Sequence, residues 1–207
     1  VTIAHLKEKR ADYGKIRLWG SLGFIATVAG LGVLFDVVSI EWLPLTLLAC
    51  AAIAALVSFT IPSPPIQIKT QAKKPFMHTL KQSKVWRFFV VHFLLQLSHA
   101  PYYSFFSVYL EEKGYSRTVI GFLWSLGVLA EVVAFTQTHR LLTKFNEYTI
   151  IQCCLLLAVI RWFAIAWAVD MPVILWTVQL LHAFTFAVFH AAAMQFIFRE
   201  FEPQQQG

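Results

Sequence analysis

The sequence predicts an all-helical, polytopic membrane protein, and three observations predict it. The first is composition: the 207-residue chain is 58% apolar and 14% charged, against roughly 45–50% and about 25% in a soluble domain. With 19 Phe and 7 Trp against 17 Lys plus Arg and 11 Asp plus Glu, it has too little polar surface to cover a water-soluble core. The second is length, because a spanning helix needs about 20 mostly apolar residues and six stretches supply them, at 16–35, 42–61, 86–110, 118–138, 149–169 and 173–198. The third is continuity: strands of a closed barrel alternate over about 10 residues, and these runs do not.

The connections organise the six segments. Two turns, 36–41 and 170–172, are short, which predicts antiparallel neighbours on either side of each. The longest polar stretch, 62–85, carries Pro62, Pro64, Pro65 and Pro75 among scattered lysines and reads as a cytoplasmic linker between two bundles. Orientation follows from Lys and Arg. One set of connections holds 14 of them, from Lys7 through the linker to Arg140, Lys144 and Arg199, while the opposite set holds only Lys113 and Arg117. By the positive-inside rule the first set and both chain ends are cytoplasmic. The chain opens on Val1 and a polar basic stretch with no apolar h-region, so no signal peptide is read. The expected organisation is two helices closing one bundle with a preceding cytoplasmic loop (1–61), the linker (62–85), and four helices of a second bundle (86–207). The formal charge of +6 lies between apolar runs rather than along a folded stripe, which argues against nucleic acid and for a lipid bilayer as the partner. Cys50, Cys153 and Cys154 sit inside apolar runs and read as inert buried thiols.

Ionisable groups at membrane depth cost at least about 2.5–3.5 kcal/mol on insertion scales, so each is read as functional first. In the third segment His92, Gln96, His99 and Tyr103 follow steps of four, three and four, one helical face. The fourth carries Glu131, the fifth Arg161, and the sixth Gln179, His182 and His190. At about 1.5 Å per residue from the outer ends, Arg161 lies about 12 Å deep, His182 about 13 Å, His99 about 16 Å, Glu131 about 20 Å and Gln96 about 21 Å. One central layer results, where transporters place substrate and coupling ions. Glu131 is the only carboxylate well inside a segment, so it is the leading proton carrier, with Arg161 and His182 as coupling partners. The structural alternative is a permanent Glu131 to Arg161 pair that locks two helices. Arg161 also suits an anionic substrate by its two-pronged hydrogen bonding. The substrate-binding candidates are Gln96, His99, Tyr103, Trp124, Arg161 and Gln179, the two aromatics as an acceptor for a ring.

No phosphate loop, dinucleotide fingerprint, HExxH or nucleophile elbow is present; the reading is a secondary transporter with no cofactor, not an enzyme. Two rival readings stand beside it. One is an intramembrane haem or metal enzyme using His92, His99, His182 and His190, and the other is a truncated, non-transporting chain. The small-residue series Gly20, Gly23, Thr27 and Gly30 permits close helix packing and no chemistry.

Four stretches carry a family resemblance: DYGKIRLWGS at 12–21, SHAPYY at 98–103, GFLWSLGVLAE at 121–131 and QLLHAFTF at 179–186. They resemble the phenylpropionate permease branch of the major facilitator superfamily, at the branch's helices five, seven, eight and ten. The resemblance implies a 12-helix inner-membrane symporter of which this chain matches helices five to ten, the remaining helices acting as its partner. It implies a small organic substrate such as 3-phenylpropionate or a related aromatic acid, carried with protons. Lactose permease-like symporters carry an acid, an arginine and a histidine on helices eight, nine and ten, and Glu131, Arg161 and His182 occupy those helices here. Where the lactose type has a further acid one turn after the histidine, this sequence has Thr185, which leaves the proton to Glu131 alone. The basic loop 139–145 (HRLLTKF) only faintly echoes the superfamily's gating loop and reads as a membrane-surface anchor.

Overall fold

The computed structural model describes residues 13–60 and 76–202, with side chains from residue 19 onward. The linker expected at 62–85 and the opening basic stretch therefore lie largely outside the described residues. The described chain is helical. Helix α1 (Tyr13–Val37) leads through a 3-10 turn (Ile40–Trp42) into α2 (Leu43–Ser58). A short α3 (Phe76–Leu80) precedes α4 (Ser83–Glu112), α5 (Arg117–Lys144), α6 (Glu147–Trp167) and α7 (Pro172–Leu180). A π-helical turn (Phe184–Val188) then joins α7 to α8 (Phe189–Glu200).

Local chemistry sets several of these boundaries. The Ser116 hydroxyl accepts from the Val119 amide and the Asn146 side chain from the Tyr148 amide, so α5 and α6 start on side-chain caps. Pro172 opens α7, where its missing N–H costs nothing. Gly114 takes a φ of +84°, the left-handed turn that lets α4 end and α5 begin three residues on.

Five helical stretches are long and apolar enough to cross a membrane: Trp19–Val37, Ile40–Ser58, Arg117–Lys144, Glu147–Trp167 and Pro172–Glu200. The sixth expected span, within α4, does not reach that apolarity although the helix has 30 residues. Its polar residues explain the shortfall. His99 is buried on the inward stripe with Leu95, Tyr102, Phe106 and Leu110, while Phe93, Leu97, Phe105 and Val108 face out. An apolar exterior around a polar interior is the arrangement a bilayer selects. The same inversion exposes Cys50 and Cys153 on outward faces, so only Cys154 is the buried thiol the sequence suggested.

Two more expectations change. No residue of α2 is buried, so the short turn before it does not draw it into packing. A helix apolar on every side gains as much from lipid tails as from a neighbouring helix. The last span is one apolar stretch in sequence but two helices here, broken where the ladder widens at Phe184–Val188.

The core has two apolar clusters. The first gathers Val85, Phe88, Ile151, Cys154, Phe189 and Phe196, with Phe88 stacked on Phe196 at 4.2 Å. The second gathers Tyr102, Phe106, Leu110, Leu123, Val169 and Leu175. Below the first, Lys84 pairs with Glu200 at 2.5 Å, and Arg199 pairs with Glu147 and donates to the Tyr148 hydroxyl at 2.9 Å, tying the ends of α4, α6 and α8. Between the two clusters, along each of four chain segments, lies one polar break.

Candidate functional site

That break is built from His99 on α4, Glu131 on α5, Arg161 on α6, and Gln179, His182 and Thr185 along the α7 to α8 segment, all buried. Gln179, His182 and Thr185 recur every three residues, a stripe on one side of the segment. The π turn begins at Phe184, between His182 and Thr185. Five of the residues singled out from the sequence, His99, Glu131, Arg161, Gln179 and His182, are thus among its buried members.

Their partners differ from the expected ones. Glu131 faces His182, with Oε2 at 3.8 Å from Nε2, and among the described residues no ion pair joins Glu131 to Arg161. Arg161 is wholly enclosed. One of its guanidinium nitrogens donates to the Thr185 hydroxyl at 3.3 Å, and its carbon lies 4.3 Å from the Tyr102 ring centroid and 4.6 Å from that of Trp162. The Nε and second terminal nitrogen of Arg161 have no hydrogen-bond partner among the described residues, nor do Nε2 of Gln179, Nδ1 of His182 and Nε2 of His99. Unpaired N–H groups of Arg161 and Gln179 are thus buried together, and among the described residues no carboxylate is paired with the cation, a costly arrangement that favours negative charge nearby.

Beside this cluster is a chamber of about 330 Å³ between α1 and helices α4, α5 and the α7 to α8 segment. Gly20 and Ser21 of α1 form one side, and Tyr103, Trp124, Glu131 and His182 the other. Tyr103 and Trp124 stack, 5.9 Å apart and 14° from parallel, and the Trp124 indole donates to the Ser107 hydroxyl at 3.0 Å. His182 stacks on Phe186 at 5.4 Å. Of the predicted substrate residues, Tyr103 and Trp124 line this space; Arg161, Gln179 and His99 stand behind it. Gln96 is exposed and outside the cluster.

Tyr102 organises the site and was not among the sequence candidates. Its hydroxyl donates to the Gln179 side-chain oxygen at 2.9 Å, and its ring meets Trp124 at 4.7 Å and Trp162 at 5.5 Å. The signal was present: Leu95, His99, Tyr102, Phe106 and Leu110 keep helical steps of three and four. His92 and His190 lie half-buried toward the other cluster, and no group of three or more His, Cys, Asp or Glu among the described residues is placed to hold a metal ion.

A helical chain with five apolar spans and a buried polar cluster among them defines the polytopic membrane class, and the comparisons give the family. The MFS_1-like family description, of the major facilitator superfamily, matches residues 1–207, and the chain belongs to that family. It is 34% identical over 92% of its length to the probable 3-phenylpropionic acid transporter of Escherichia coli (strain K12), covering 51% of that protein. It is 25% identical over 95% of its length to the uncharacterized transporter YwbF of Bacillus subtilis (strain 168), covering 49% of it, and 29% identical over 87% to the maltose permease of Geobacillus stearothermophilus, covering 45%. The chain spans about half the length of these relatives, all named as transporters or permeases rather than enzymes. No solved structure matches it.

Proposed function

We propose that this chain belongs to a proton-coupled secondary transporter for a small aromatic acid, working by alternating access between two bundles. It contributes the last two helices of the first bundle, the linker at 62–85 and the first four helices of the second, in an inner membrane with both chain ends on the cytoplasmic side. One observation carries the reading: a chamber with a stacked Tyr103–Trp124 wall and the Glu131–His182 pair, set against the enclosed cation of Arg161. The aromatic wall suits a ring and the Arg161 field suits a carboxylate, while Glu131 takes up the proton that accompanies it. Arg161 acts through its field rather than by touching the solute. The relative named for 3-phenylpropionic acid supports that acid as the first solute to try.

The test is uptake of labelled 3-phenylpropionate by cells expressing the intact transporter that carries this chain, with and without a protonophore. Accumulation above empty vector that the protonophore collapses supports the reading. Correctly inserted protein without such uptake removes this solute, and uptake indifferent to the protonophore removes the proton.

A further inference from the structure

A second cavity, of about 660 Å³, lies on the far side of α5 from the chamber, between that helix and the π-helical turn. On α5 it is lined by Leu126, Leu129, Ala130, Val133 and Gln137, whose steps of three and four make one helical face. Val128 and Glu131, which line the chamber, sit about half a turn round the helix from that face. Across the groove stand Leu180, Phe184 and Val188, again four residues apart. Leu129, Val133, Leu180 and Phe184 are exposed, so the groove is apolar and faces outward.

Its mouth has the opposite character. Arg140 and Lys144 continue the lining one and two turns beyond Gln137. Arg140 donates to the Gln137 carboxamide oxygen at 3.2 Å, a neutral acceptor, and among the described residues neither cation forms an ion pair with a carboxylate. Glu147, the next acid along the chain, is already paired with Arg199. From Leu126 to Gln137 the apolar part runs about 17 Å along α5, close to the roughly 15 Å of hydrocarbon in one leaflet. The groove also shares a wall with the polar site: Phe184 and Val188 face the groove, while Thr185 between them accepts from Arg161.

We propose that this groove binds an anionic phospholipid, with one acyl chain between α5 and the π-helical turn and the phosphodiester on Arg140 and Lys144. The site rests on the groove alone; its assignment to the cytoplasmic leaflet rests on the orientation given under the proposed function. A helix of neutral side chains packed here would cover the apolar wall and leave both cations unbalanced, whereas a lipid supplies the chain and the charge together. Basic pockets between spanning helices hold lipid headgroups by this combination. The bound chain abuts the segment that carries the acceptor for Arg161, so the lipid braces the site from behind.

Photo-crosslinking tests it in the intact transporter, reconstituted in phosphatidylcholine vesicles doped with a phosphatidylglycerol that carries a diazirine on one acyl chain. The same diazirine on phosphatidylcholine is the comparison, and insertion sites are mapped by peptide mass. The anionic probe should label the peptides holding Leu129 and Phe184 at least about fivefold more than the neutral probe, the effect of a single surface cation. Arg140→Gln combined with Lys144→Gln should bring it down to the neutral level, while Lys113→Gln, at the opposite end of the helices, should change nothing. Leu129→Trp fills the groove and keeps both cations; it should lower labelling of the Phe184 peptide and covers the case in which the double variant fails to insert. Equal labelling by the two probes overturns the proposal, as does a preference that survives the double variant. Insertion confined to other segments overturns it too, since protein rather than lipid then fills the groove. No solute enters the experiment, so failure of 3-phenylpropionate uptake leaves this result untouched.

Discussion

Replacing Thr185 with Asp puts a carboxylate beside Arg161, where the hydroxyl now accepts at 3.3 Å. At that separation and an effective dielectric near 20 the pair attracts by about 5 kcal/mol; desolvating the new carboxylate offsets several kcal/mol of this, leaving a net gain of about 1 kcal/mol. The purified protein should therefore melt no lower than the parent. Transport should respond in the opposite direction. The Tyr102 ring lies 4.3 Å from the guanidinium carbon, and a solute beyond that ring is roughly 8–10 Å from the charge. The attraction on its carboxylate is then about 2 kcal/mol, so neutralising Arg161 should weaken an anionic solute about thirtyfold. The assay is the concentration dependence of uptake beside a thermal melt, with Thr185→Asn as the uncharged control. An Asp variant that keeps the parent's half-saturating concentration would refute the claim that the Arg161 field draws the anion. A variant that melts much lower would refute the claim that no carboxylate among the described residues balances Arg161.

Three further outcomes follow from the geometry. Trp124→Ala removes the stack on Tyr103 and the bond to Ser107; it should raise the half-saturating concentration for an aromatic acid about tenfold, while an aliphatic acid of similar length changes little. Arg199→Ala leaves the buried Glu147 carboxylate without its cation and should cost about 3 kcal/mol, read as a lower melting temperature that Glu147→Gln partly restores. Asn146→Ala deletes the cap that holds the Tyr148 amide and should cost about 1 kcal/mol, measured by the same melt.

Much of this was legible in the sequence because a bilayer imposes simple rules. The spans follow from length and apolarity, and the mid-depth layer follows from the cost of burying Glu131, Arg161 and His182 anywhere without purpose. What could not be read is which polar groups meet. Step counting along α4 put Gln96 and Tyr103 on the stripe of His99, but the buried stripe runs through Tyr102, a rotation of one residue that a helix's polar face alone does not settle. The partner of Glu131 turned on helix packing: His182, rather than Arg161, lies across from it. Thr185 looked like a missing acid and is the acceptor for Arg161. The π-helical turn at Phe184–Val188 has no breaker residue in the sequence, there being neither Gly nor Pro between Pro172 and Glu200. Asp36 read as a loop residue because its partners are the backbone amides of Arg117 and Thr118, which have no residue-type signature.

The most direct measurement of the central claim is the behaviour of Glu131→Gln in the intact transporter, scored in two assays on the same membranes. The account predicts that the variant no longer accumulates labelled 3-phenylpropionate uphill yet still exchanges it across the membrane, because the chamber remains and only the proton carrier is gone. A variant that concentrates the acid as the parent does, and still collapses with a protonophore, would contradict the assignment of proton coupling to Glu131.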